Sequence, residues 1–514
     1  MSLGSKIQTG AAIARSTLTP FERPDRLPRA LAAMAPWGSS VAGLVAGGAA
    51  RYPDRAAIVD DAGSTTYREL WRRSQAIAAG LAARGVRPGD RVGLLARNHV
   101  GFVEAMAGVA ATGADLVLLN TGFAGPQLAD VVDSEGIGTV IHDDEFTEAV
   151  ADCGALLIDE SALAELTRSG TVSPPPEAGT VVILTSGTTG RPKGAARRSD
   201  PSAIEGIGAV LDRIPLRLGD TQVVAAPLFH AWGLSHLLLG LSRCATNVLA
   251  RRFDPERTLA SLSGHRAEVL VVVPVMLARM LALDPAVLAA HETPELRVIA
   301  SSGSAIGGDL VTRTLDHFGP VLYNLYGSTE VAVATIADPD DLRRHPTTAG
   351  RVALGVELSI LDADGVPVAP GDVGRIFVGS GSSFDGYTNG GDKERIRGML
   401  SSGDMGRLDG GLLFVEGRDD DMIVSGGENV FPAEVEELLK GHPAIGDAAV
   451  VGVDDDEFGQ VLKAVIVRTG DLSKRDVKQH VKANLARHKV PRTVEFVEEL
   501  PRNATGKLLR RDLD

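Results

Sequence analysis

The chain has 514 residues, a formal net charge of −14, 44% hydrophobic residues and 4% aromatic residues. This length exceeds one compact core and suggests roughly two to four domains, and the apolar share excludes a disordered chain. An acidic balance without a long Lys/Arg block excludes a general nucleic-acid binder but leaves room for a small phosphate ligand. Two cysteines, Cys153 and Cys244, are too few for a disulfide framework or a structural zinc site, so we expect a reducing, cytoplasmic setting.

Neither a membrane span nor a signal peptide is expected near the start of the chain. Residues 30–50 carry no charge, but a proline, several glycines and serines interrupt them. The first 29 residues hold five Lys/Arg and two acidic residues without the apolar run of a signal peptide. They predict an N-terminal arm on the surface of the body, so that any membrane association would be peripheral.

The first 400 residues alternate helix-period segments with short apolar runs. Residues 66–69 form a Ser/Thr-x-x-Glu capping box, and Leu70, Ile77 and Leu81 give an apolar stripe to the helix that it starts. Several later runs are apolar throughout, which is typical of strands covered by helices on both faces. These runs are Val92–Ala96, Leu116–Leu119, Thr139–His142, Val181–Thr185, Val223–Ala226, Val269–Val273, Val298–Ala300 and Val321–Asn324. They predict an α/β domain of mixed, mostly parallel sheets.

The composition changes near residue 420. Seven of the ten lysines of the chain follow this point, and such a shift is typical of a domain boundary. A helix at Pro432–Lys440, strands near Ala448–Val453 and Leu462–Val467, and a helix at Ser473–Leu485 predict a small α+β domain. We therefore divide the chain into residues 1–416 and 417–514.

The strongest local motif follows directly after the run at residues 181–184. Its glycines allow a tight turn that presents backbone N–H groups, and hydroxyls and a lysine surround them, which suits several phosphate oxygens at once. A solvent-exposed glycine-rich hairpin is the structural alternative. The candidate phosphate ligands are Thr185, Ser186, Gly187, Thr188, Thr189, Gly190 and Lys193.

A second motif, residues 326–330, closes another strand, and ligands of open α/β sheets gather at the carboxyl ends of strands. Tyr326 can stack on a purine, Thr329 can reach a phosphate, and Glu330 can hold Mg²⁺. Taken alone, the same residues favour a strand-to-helix turn that Ser328 or Thr329 caps.

At this point the sequence resembles the acyl-adenylate-forming (AMP-binding) superfamily, and most closely a bacterial fatty-acyl-CoA synthetase. The phosphate loop and five later motifs occur in the family's order, so that the resemblance covers roughly residues 40–514. These motifs lie at residues 326–330, 402–404, 417–421, 425–429 and 501–507. The resemblance implies a large ATP-binding domain and a mobile C-terminal domain.

The resemblance also implies a role for each motif residue. Tyr326, Gly327 and the stretch Gly303, Ser304 and Ala305 would line the adenine, Asp404 and Arg418 would hold the ribose, Thr329 would bind the α-phosphate, and Glu330 would bind Mg²⁺. Lys507, otherwise an ordinary solvated lysine, would stabilise charge between the carboxylate and the α-phosphate. Asp420 would be the hinge, and Ser425, Gly426 and Gly427 would meet the CoA arm.

The implied reaction joins a carboxylic acid to CoA through an acyl-adenylate, with ATP and CoA as co-substrates. His230 would lie near the substrate carboxylate, and Trp232 would gate an acyl tunnel. No acidic residue occurs between residues 225 and 241, which argues against amino-acid substrates. The apolar run Leu234–Leu241, unless it is a core helix, favours a medium- or long-chain fatty acid.

Three departures from the family pattern concern the substrate and the rate. Residues 197–199 lack a histidine that is common after the phosphate loop, Met399 or Leu400 replaces an aromatic residue, and residues 389–392 are irregular. Two alternatives stay open: an acyl-AMP ligase that loads a carrier protein, and a non-catalytic acyl-nucleotide sensor. The resemblance also allows a homodimer.

Overall fold

The structure is a computed structural model that describes residues 3–18, 22–186, 192–197, 201–328, 330–380, 393–419, 423–425, 428–455, 459–485, 489–503 and 506–513. Its helices are α1 (Leu3–Thr17), α2 (Arg26–Met34), α3 (Val41–Arg51), α4 (Tyr67–Ala83), α5 (Val100–Thr112), α6 (Gly125–Ser134), α7 (Thr147–Val150), α8 (Glu160–Leu166), α9 (Pro201–Arg213), α10 (Ala231–Ser242), α11 (Pro255–Gly264), α12 (Pro274–Leu281), α13 (Pro285–Ala290), α14 (Gly308–Phe318), α15 (Pro339–Arg344), α16 (Pro432–Lys440) and α17 (Lys474–Asn484).

The strands belong to separate sheets, and the strands of one sheet, β3–β8, come between β2 and β9 of another. They are β1 (Ala56–Asp60), β2 (Gly63–Thr66), β3 (Arg91–Leu95), β4 (Asp115–Leu118), β5 (Thr139–His142), β6 (Leu156–Ile158), β7 (Val181–Ser186), β8 (Pro192–Arg197), β9 (Thr221–Val224), β10 (Thr246–Val248), β11 (Val269–Val272), β12 (Val298–Ser301), β13 (Leu322–Ser328), β14 (Ala332–Ala337), β15 (Arg351–Val352), β16 (Glu357–Leu361), β17 (Gly374–Gly379), β18 (Arg395–Ile396), β19 (Met399–Asp409), β20 (Leu412–Arg418), β21 (Ile423–Ser425), β22 (Glu428–Val430), β23 (Ile445–Asp455), β24 (Gly459–Arg468) and β25 (Thr493–Val497).

Two mostly parallel sheets build the large domain. One has the order β6-β5-β3-β4-β7-β8 and the other β15-β14-β13-β12-β11-β9-β10-β1-β2. Every residue of β11 and β12 is buried, because helices cover both faces of the sheet. The predicted α/β fold is therefore confirmed, and each predicted strand of this region exists within a few residues of its expected bounds.

The predicted capping box at the start of α4 is present. The Thr66 side chain accepts a hydrogen bond from Glu69 N, and the Glu69 carboxylate accepts one from Thr66 N. The stripe of Leu70, Ile77 and Leu81 is fully buried in the main core. A local signal of four residues therefore fixes where this helix begins and which face it buries.

An antiparallel sheet that the sequence did not reveal lies at the end of the predicted domain 1–416. Its order is β16-β17-β19-β18, with β20 paired to β19. The turn after β13 also differs from the alternative considered above, since it leads to the antiparallel strand β14 and not to a helix. Ala332, the first residue of β14, has a positive φ of 59° at the point where the chain reverses direction.

The C-terminal residues form the expected small α+β domain. Its sheet has the order β22-β21-β24-β23 with β25 beside β24, and α16 and α17 pack on a hydrophobic core of its own. Both helices match their predicted bounds to within a residue. The boundary at 416/417 and the hinge stay predictions, and Asp420 lies outside the described residues.

The N-terminal arm is helical and packs on the large domain. In α1, Ala12 is fully buried, and Thr9 contacts α9 so closely that a Cβ on Gly208 would lie 2.4 Å from its methyl carbon. The buried guanidinium of Arg51 binds the Glu22 carboxylate at 2.6 Å. Among the residues that the structure describes, no helix has both the length and the apolar character needed to cross a membrane.

Candidate active site

The candidate site lies at one edge of the larger parallel sheet. Strands β13, β12, β11 and β9 are parallel neighbours, so their carboxyl ends meet at this edge. The segments that leave these ends are the predicted ones: residues 225–230 after β9, 302–305 after β12, and 326–328 at the end of β13. Open α/β sheets bind ligands at such an edge.

The nucleotide side of the site is a hydrogen-bonded group of polar side chains on β13, β19 and β20. The Tyr326 hydroxyl donates to Asp404 Oδ2 at 2.6 Å, and Arg418 Nη1 lies 3.8 Å from Asp404 Oδ1. Asp404 and Arg418 face each other in the register of β19 and β20. Burial raises the pKa of Asp404 above its ordinary value, and it raises that of Tyr326 well above its ordinary value. The structure thus brings together three residues that the resemblance assigned to one nucleoside.

The predicted adenine segment lies beside this group. Ser302 donates its hydroxyl to Leu325 O at 2.9 Å, which fixes the segment against β13. Gly303, with a φ of 98°, and the following Ser304 and Ala305 are exposed at the edge. Gly327 is constrained by its neighbours, because a Cβ there would lie 1.9 Å from Ala332 O. Gly327 is therefore needed for the close packing of β13 on β14, and the adenine role of this segment stays a prediction.

Glu330, the predicted metal ligand, is largely buried next to the turn after β13. The Ser328 hydroxyl donates to Glu330 Oε2 at 2.7 Å. Among the described residues no group of three or more His, Cys, Asp or Glu side chains could hold a metal ion. One carboxylate nevertheless fits Mg²⁺, which is commonly bound by one or two carboxylates together with substrate phosphates. Thr329 lies outside the described residues.

The phosphate motif begins at the end of β7 and includes the start of β8. The backbones of Thr185 and Lys193 pair, as do those of Ser186 and Pro192, so an antiparallel hairpin flanks the motif. Gly187, Thr188, Thr189 and Gly190 lie outside the described residues. The phosphate role of the motif stays a prediction.

The loop that carries Lys507 reaches the same sheet edge from the C-terminal domain. A Cβ on Gly506, whose φ is 77°, would lie 2.4 Å from Val275 Cγ1, immediately beyond β11. The loop is tied by hydrogen bonds from Lys507 N to Asn503 Oδ1 at 2.8 Å and from Asn503 N to Lys507 O at 2.9 Å. Lys507 is exposed, and its charge is one of those that lower the pKa of Asp404 against the effect of burial. The predicted catalytic lysine therefore lies on the nucleotide side.

The acyl side, by which we mean the segment 225–232 that follows β9, contains the buried imidazole of His230. His230 Nε2 is buried and makes no hydrogen bond to another described residue, and burial lowers the pKa of His230 to about 4. The ring of Phe229 lies 4.4 Å from the His230 ring. This imidazole is neutral at physiological pH, and its nitrogen is free to bind a polar group of a substrate.

The structure places Trp232 and the run 234–241 against the large domain, and their substrate roles stay predictions. Trp232 donates Nε1–H to Val272 O at 3.0 Å and meets the His236 ring edge-on at 4.4 Å, so it is fixed against β11. Within the run 234–241, Leu234, Leu237 and Leu241 are buried in the main core. The run is therefore the core helix considered above as its alternative.

Two further residues of the site, Asn98 and Lys393, lie outside the family motifs. Asn98, just beyond β3, donates to Val224 O at 3.3 Å and to Ala226 O at 2.9 Å, and it accepts from Leu228 N at 2.9 Å. It is buried and fixes the segment that carries His230. Lys393 donates to Ser402 O at 3.0 Å, and its charge acts on Asp404. The position of Asn98, a polar residue shortly after the buried parallel strand β3, could have indicated from the sequence that it belongs to the site.

The residues predicted to meet CoA lie at the start of the C-terminal sheet. Ser425 ends β21 and pairs through its backbone with Glu428 and Gly459. Gly426 and Gly427 lie outside the described residues. Their role stays a prediction.

The candidate site thus lies at a parallel sheet edge of the large domain, with the Lys507 loop of the small C-terminal domain beside it. A family profile described as AMP-binding enzyme matches residues 46–388, and one described as AMP-binding enzyme C-terminal domain matches residues 434–507. The chain belongs to this AMP-binding, acyl-adenylate-forming family.

Curated relatives and solved structures are similar over nearly the full length. A feruloyl-CoA synthase from an Amycolatopsis species is 34% identical over 471 residues, which cover 89% of this chain and 95% of that protein. An indoleacetate–CoA ligase from Aromatoleum aromaticum is 34% identical over 508 residues, with 93% and 96% covered. The structure of o-succinylbenzoate CoA synthetase from Bacillus subtilis with ATP and magnesium has a TM-score of 0.82 at 29% identity, covering 91% of this chain and 98% of that one.

Proposed function

We propose that this protein is an AMP-forming acid–CoA ligase. The observation that carries the proposal is the position of the Lys507 loop. Gly506 contacts Val275 at the sheet edge, with the Tyr326–Asp404–Arg418 group on the same edge and the His230 segment following β9 beside it. The relatives named as CoA synthases and ligases support the same activity.

In the first step, a carboxylate oxygen of the acid attacks the α-phosphorus of ATP, and pyrophosphate leaves with the electrons of the broken P–O bond. Lys507 stabilises the negative charge that spreads over the reacting oxygens. Asp404 accepts hydrogen bonds from the ribose, and Glu330 would hold Mg²⁺, which neutralises phosphate charge when bound. His230, neutral at physiological pH, binds the acid beside the reaction centre.

In the second step, the CoA thiol loses its proton, sulfur bonds to the acyl carbon, and AMP leaves with the electrons of the carbon–oxygen bond. We assign this step to an orientation of the C-terminal domain reached by rotation near Asp420, with Ser425, Gly426 and Gly427 beside the CoA arm. Small residues suit the approach of a narrow thiol arm to the backbone.

For the acid, we propose a compact molecule with an aromatic body. The leucines from which we expected a fatty-acid tunnel are used in core packing, and Trp232 is hydrogen-bonded to β11. The relatives are named for feruloyl, indoleacetate and succinylbenzoate groups. A medium- or long-chain fatty acid stays the alternative, and a homodimer and a cytoplasmic location stay predictions.

A panel of acids tests the proposal. Ferulate, indoleacetate, 2-succinylbenzoate and dodecanoate are each incubated with MgATP, with and without CoA, while pyrophosphate, AMP and acyl-CoA are measured. We expect acid-dependent pyrophosphate release, acyl-CoA only with CoA, and a higher kcat/KM for an aromatic acid. Acyl-AMP without acyl-CoA would indicate the carrier-protein ligase, and ATP binding without turnover of any acid would indicate the sensor. Preference for dodecanoate would contradict the aromatic substrate.

A further inference from the structure

Helix α14 begins without a capping side chain of its own domain. Its N-cap is Gly307, with a φ of 70°, and no side chain of the N-cap position accepts from the first turn. The first N–H groups of a helix have no partner within the helix and need an acceptor from elsewhere. This helix begins shortly after the exposed segment 303–305 that we assign to adenine. A shift of the helix would therefore move that segment.

The missing acceptor comes from the C-terminal domain. Glu437, on α16, accepts a hydrogen bond from Gly308 N at 2.9 Å. The contact is close, because a Cβ on Gly308 would lie 3.1 Å from Glu437 Oε1. A carboxylate at a helix N-terminus gains both a hydrogen bond and a favourable interaction with the helix dipole. The contact joins two residues that are 129 positions apart and belong to different domains.

We propose that Glu437 is a positioning residue for adenylation: by capping α14 it holds the C-terminal domain in the orientation that presents Lys507 to the nucleotide. The proposal rests on the function proposed above, including rotation of the domain between the two steps. In the present orientation Gly506 lies against Val275 while Glu437 lies on Gly308, so two contacts fix the domain at separate points. Because a rotated domain would move α16 away from α14, the cap would serve the first step alone.

The other glutamates of α16 act within the C-terminal domain and supply a control. Glu434 pairs with Lys489, and the Glu436 carboxylate binds Arg510 at 2.6 Å and accepts from Val450 N at 2.8 Å. Glu434 therefore shares the helix, the residue type and partial exposure with Glu437, but its carboxylate pairs within the C-terminal domain. Its replacement reports the effect of losing a carboxylate from α16 without losing the cap.

The test compares the two half-reactions in one protein preparation. Adenylation is followed by ATP–pyrophosphate exchange with the panel acid of highest turnover, and thioester formation by the reaction of that acid's preformed acyl-adenylate with CoA. The variants are Glu437→Ala, Gly308→Pro, the double variant and Glu434→Ala. Proline is accepted at the first position of a helix, so Gly308→Pro removes the N–H donor while retaining the helix. The ratio of the two rates does not depend on the folded fraction of a preparation.

We expect Glu437→Ala to lower the exchange rate about fivefold, the loss that removal of a helix cap typically brings, and to leave thioester formation within about twofold. Gly308→Pro should act in the same direction, the double variant should be no worse than the stronger single variant, and Glu434→Ala should keep the wild-type ratio. An unchanged ratio in Glu437→Ala, additive losses in the double variant, or the same shift in Glu434→Ala would each overturn the proposal. If the wild-type protein formed no acyl-CoA, the proposed function would fall as well.

Discussion

The two sides of the candidate site differ in how completely their polar groups are satisfied. On the nucleotide side, the Asp404 carboxylate is bound by the Tyr326 hydroxyl and lies near the guanidinium of Arg418. On the acyl side, His230 Nε2 is buried without a hydrogen-bond partner among the described residues. The Asp404 carboxylate is charged and already has partners, whereas the His230 imidazole is neutral and has a buried nitrogen without a partner among the described residues. We infer that the first serves an invariant ligand, while the second is completed by the carboxylate of the acid.

Replacing Asp404 should affect the nucleotide side alone and should give the largest change in a KM. Hydrogen bonds from a ligand to a charged group contribute about 1.5–3 kcal/mol each, so Asp404→Asn is expected to raise the KM for ATP about tenfold to a hundredfold with little change in the KM for the acid. Steady-state kinetics with each substrate varied in turn measures this difference. An equal rise in both KM values would contradict the division of the site.

The same variant should increase stability. Burial raises the pKa of Asp404 in the folded protein, so this group stabilises folding below its unfolded pKa and loses that contribution as pH rises through the folded value. At pH 7 the ionised carboxylate therefore opposes folding, and Asn removes that cost. Urea unfolding at pH 7 should show a higher free energy of unfolding for Asp404→Asn, and a lower one would show that the carboxylate is structural.

Replacing His230 should give the opposite kinetic result. His230→Leu removes a buried nitrogen without a partner, so we expect the fold to persist, the KM for the acid to rise about tenfold through loss of one hydrogen bond, and the KM for ATP to stay unchanged. His265→Leu, at an exposed position far from any motif, is the control. A larger effect on the KM for ATP than on that for the acid would contradict the acyl assignment.

Asn98 links the acyl segment to the neighbouring sheet, and its loss should act through position. Asn98→Ala leaves Leu228 N, Val224 O and Ala226 O without this partner. We expect a loss of about 2–3 kcal/mol in unfolding free energy and about a threefold rise in the KM for the acid, smaller than for His230→Leu because the imidazole remains. Asn120→Ala, which removes an exposed turn contact to Gly122 N, should change neither quantity. A rise in the KM for ATP alone would contradict the positioning role.

Acidification should lower the stability of the protein through the buried imidazoles of His230 and His236. Burial lowers the pKa of His230 to about 4 and that of His236 to about 3, from 6.5. Between pH 6.5 and the lowered pKa, each of these histidines binds a proton in the unfolded chain but not in the folded protein. The free energy of unfolding therefore falls as the pH drops below 6.5. His236→Leu should reduce the loss of unfolding free energy between pH 7 and pH 5 by about 2 kcal/mol. His265→Leu is again the control, and an unchanged loss in His236→Leu would contradict the burial argument.

Local patterns predicted the parallel sheets well and the contacts across the site poorly. The run at 269–273 is apolar at every position because helices cover both faces of β11, so burial is visible in the sequence. Strand β19 carries Ser401, Ser402 and Gly403 in its centre, and such a polar strand has no apolar alternation to reveal it. The antiparallel sheet that positions Asp404 was therefore missed, although Asp404 itself was identified by motif.

Contacts between distant residues left no local trace. Asn98 bonds to residues 126–130 positions away, and its role depends on how two sheets meet. The same holds for Glu437, which resembles any exposed helical glutamate until α14 is placed against it. Motif residues such as Lys507 could be named from the sequence, whereas the residues that position them required the tertiary structure.

In the proposed mechanism, the loop at Lys507 brings the lysine to the nucleotide side for adenylation and not for thioester formation. The direct test is the rate of ATP–pyrophosphate exchange in Lys507→Ala, measured beside the rate at which the same protein converts preformed acyl-adenylate and CoA to acyl-CoA. We expect exchange to fall at least about a hundredfold, the effect of removing one group that stabilises transition-state charge. Thioester formation should stay within about threefold of wild type, and Lys474→Ala, an exposed lysine of α17, should match wild type in both. Equal losses in both half-reactions, or exchange that persists without Lys507, would contradict the account.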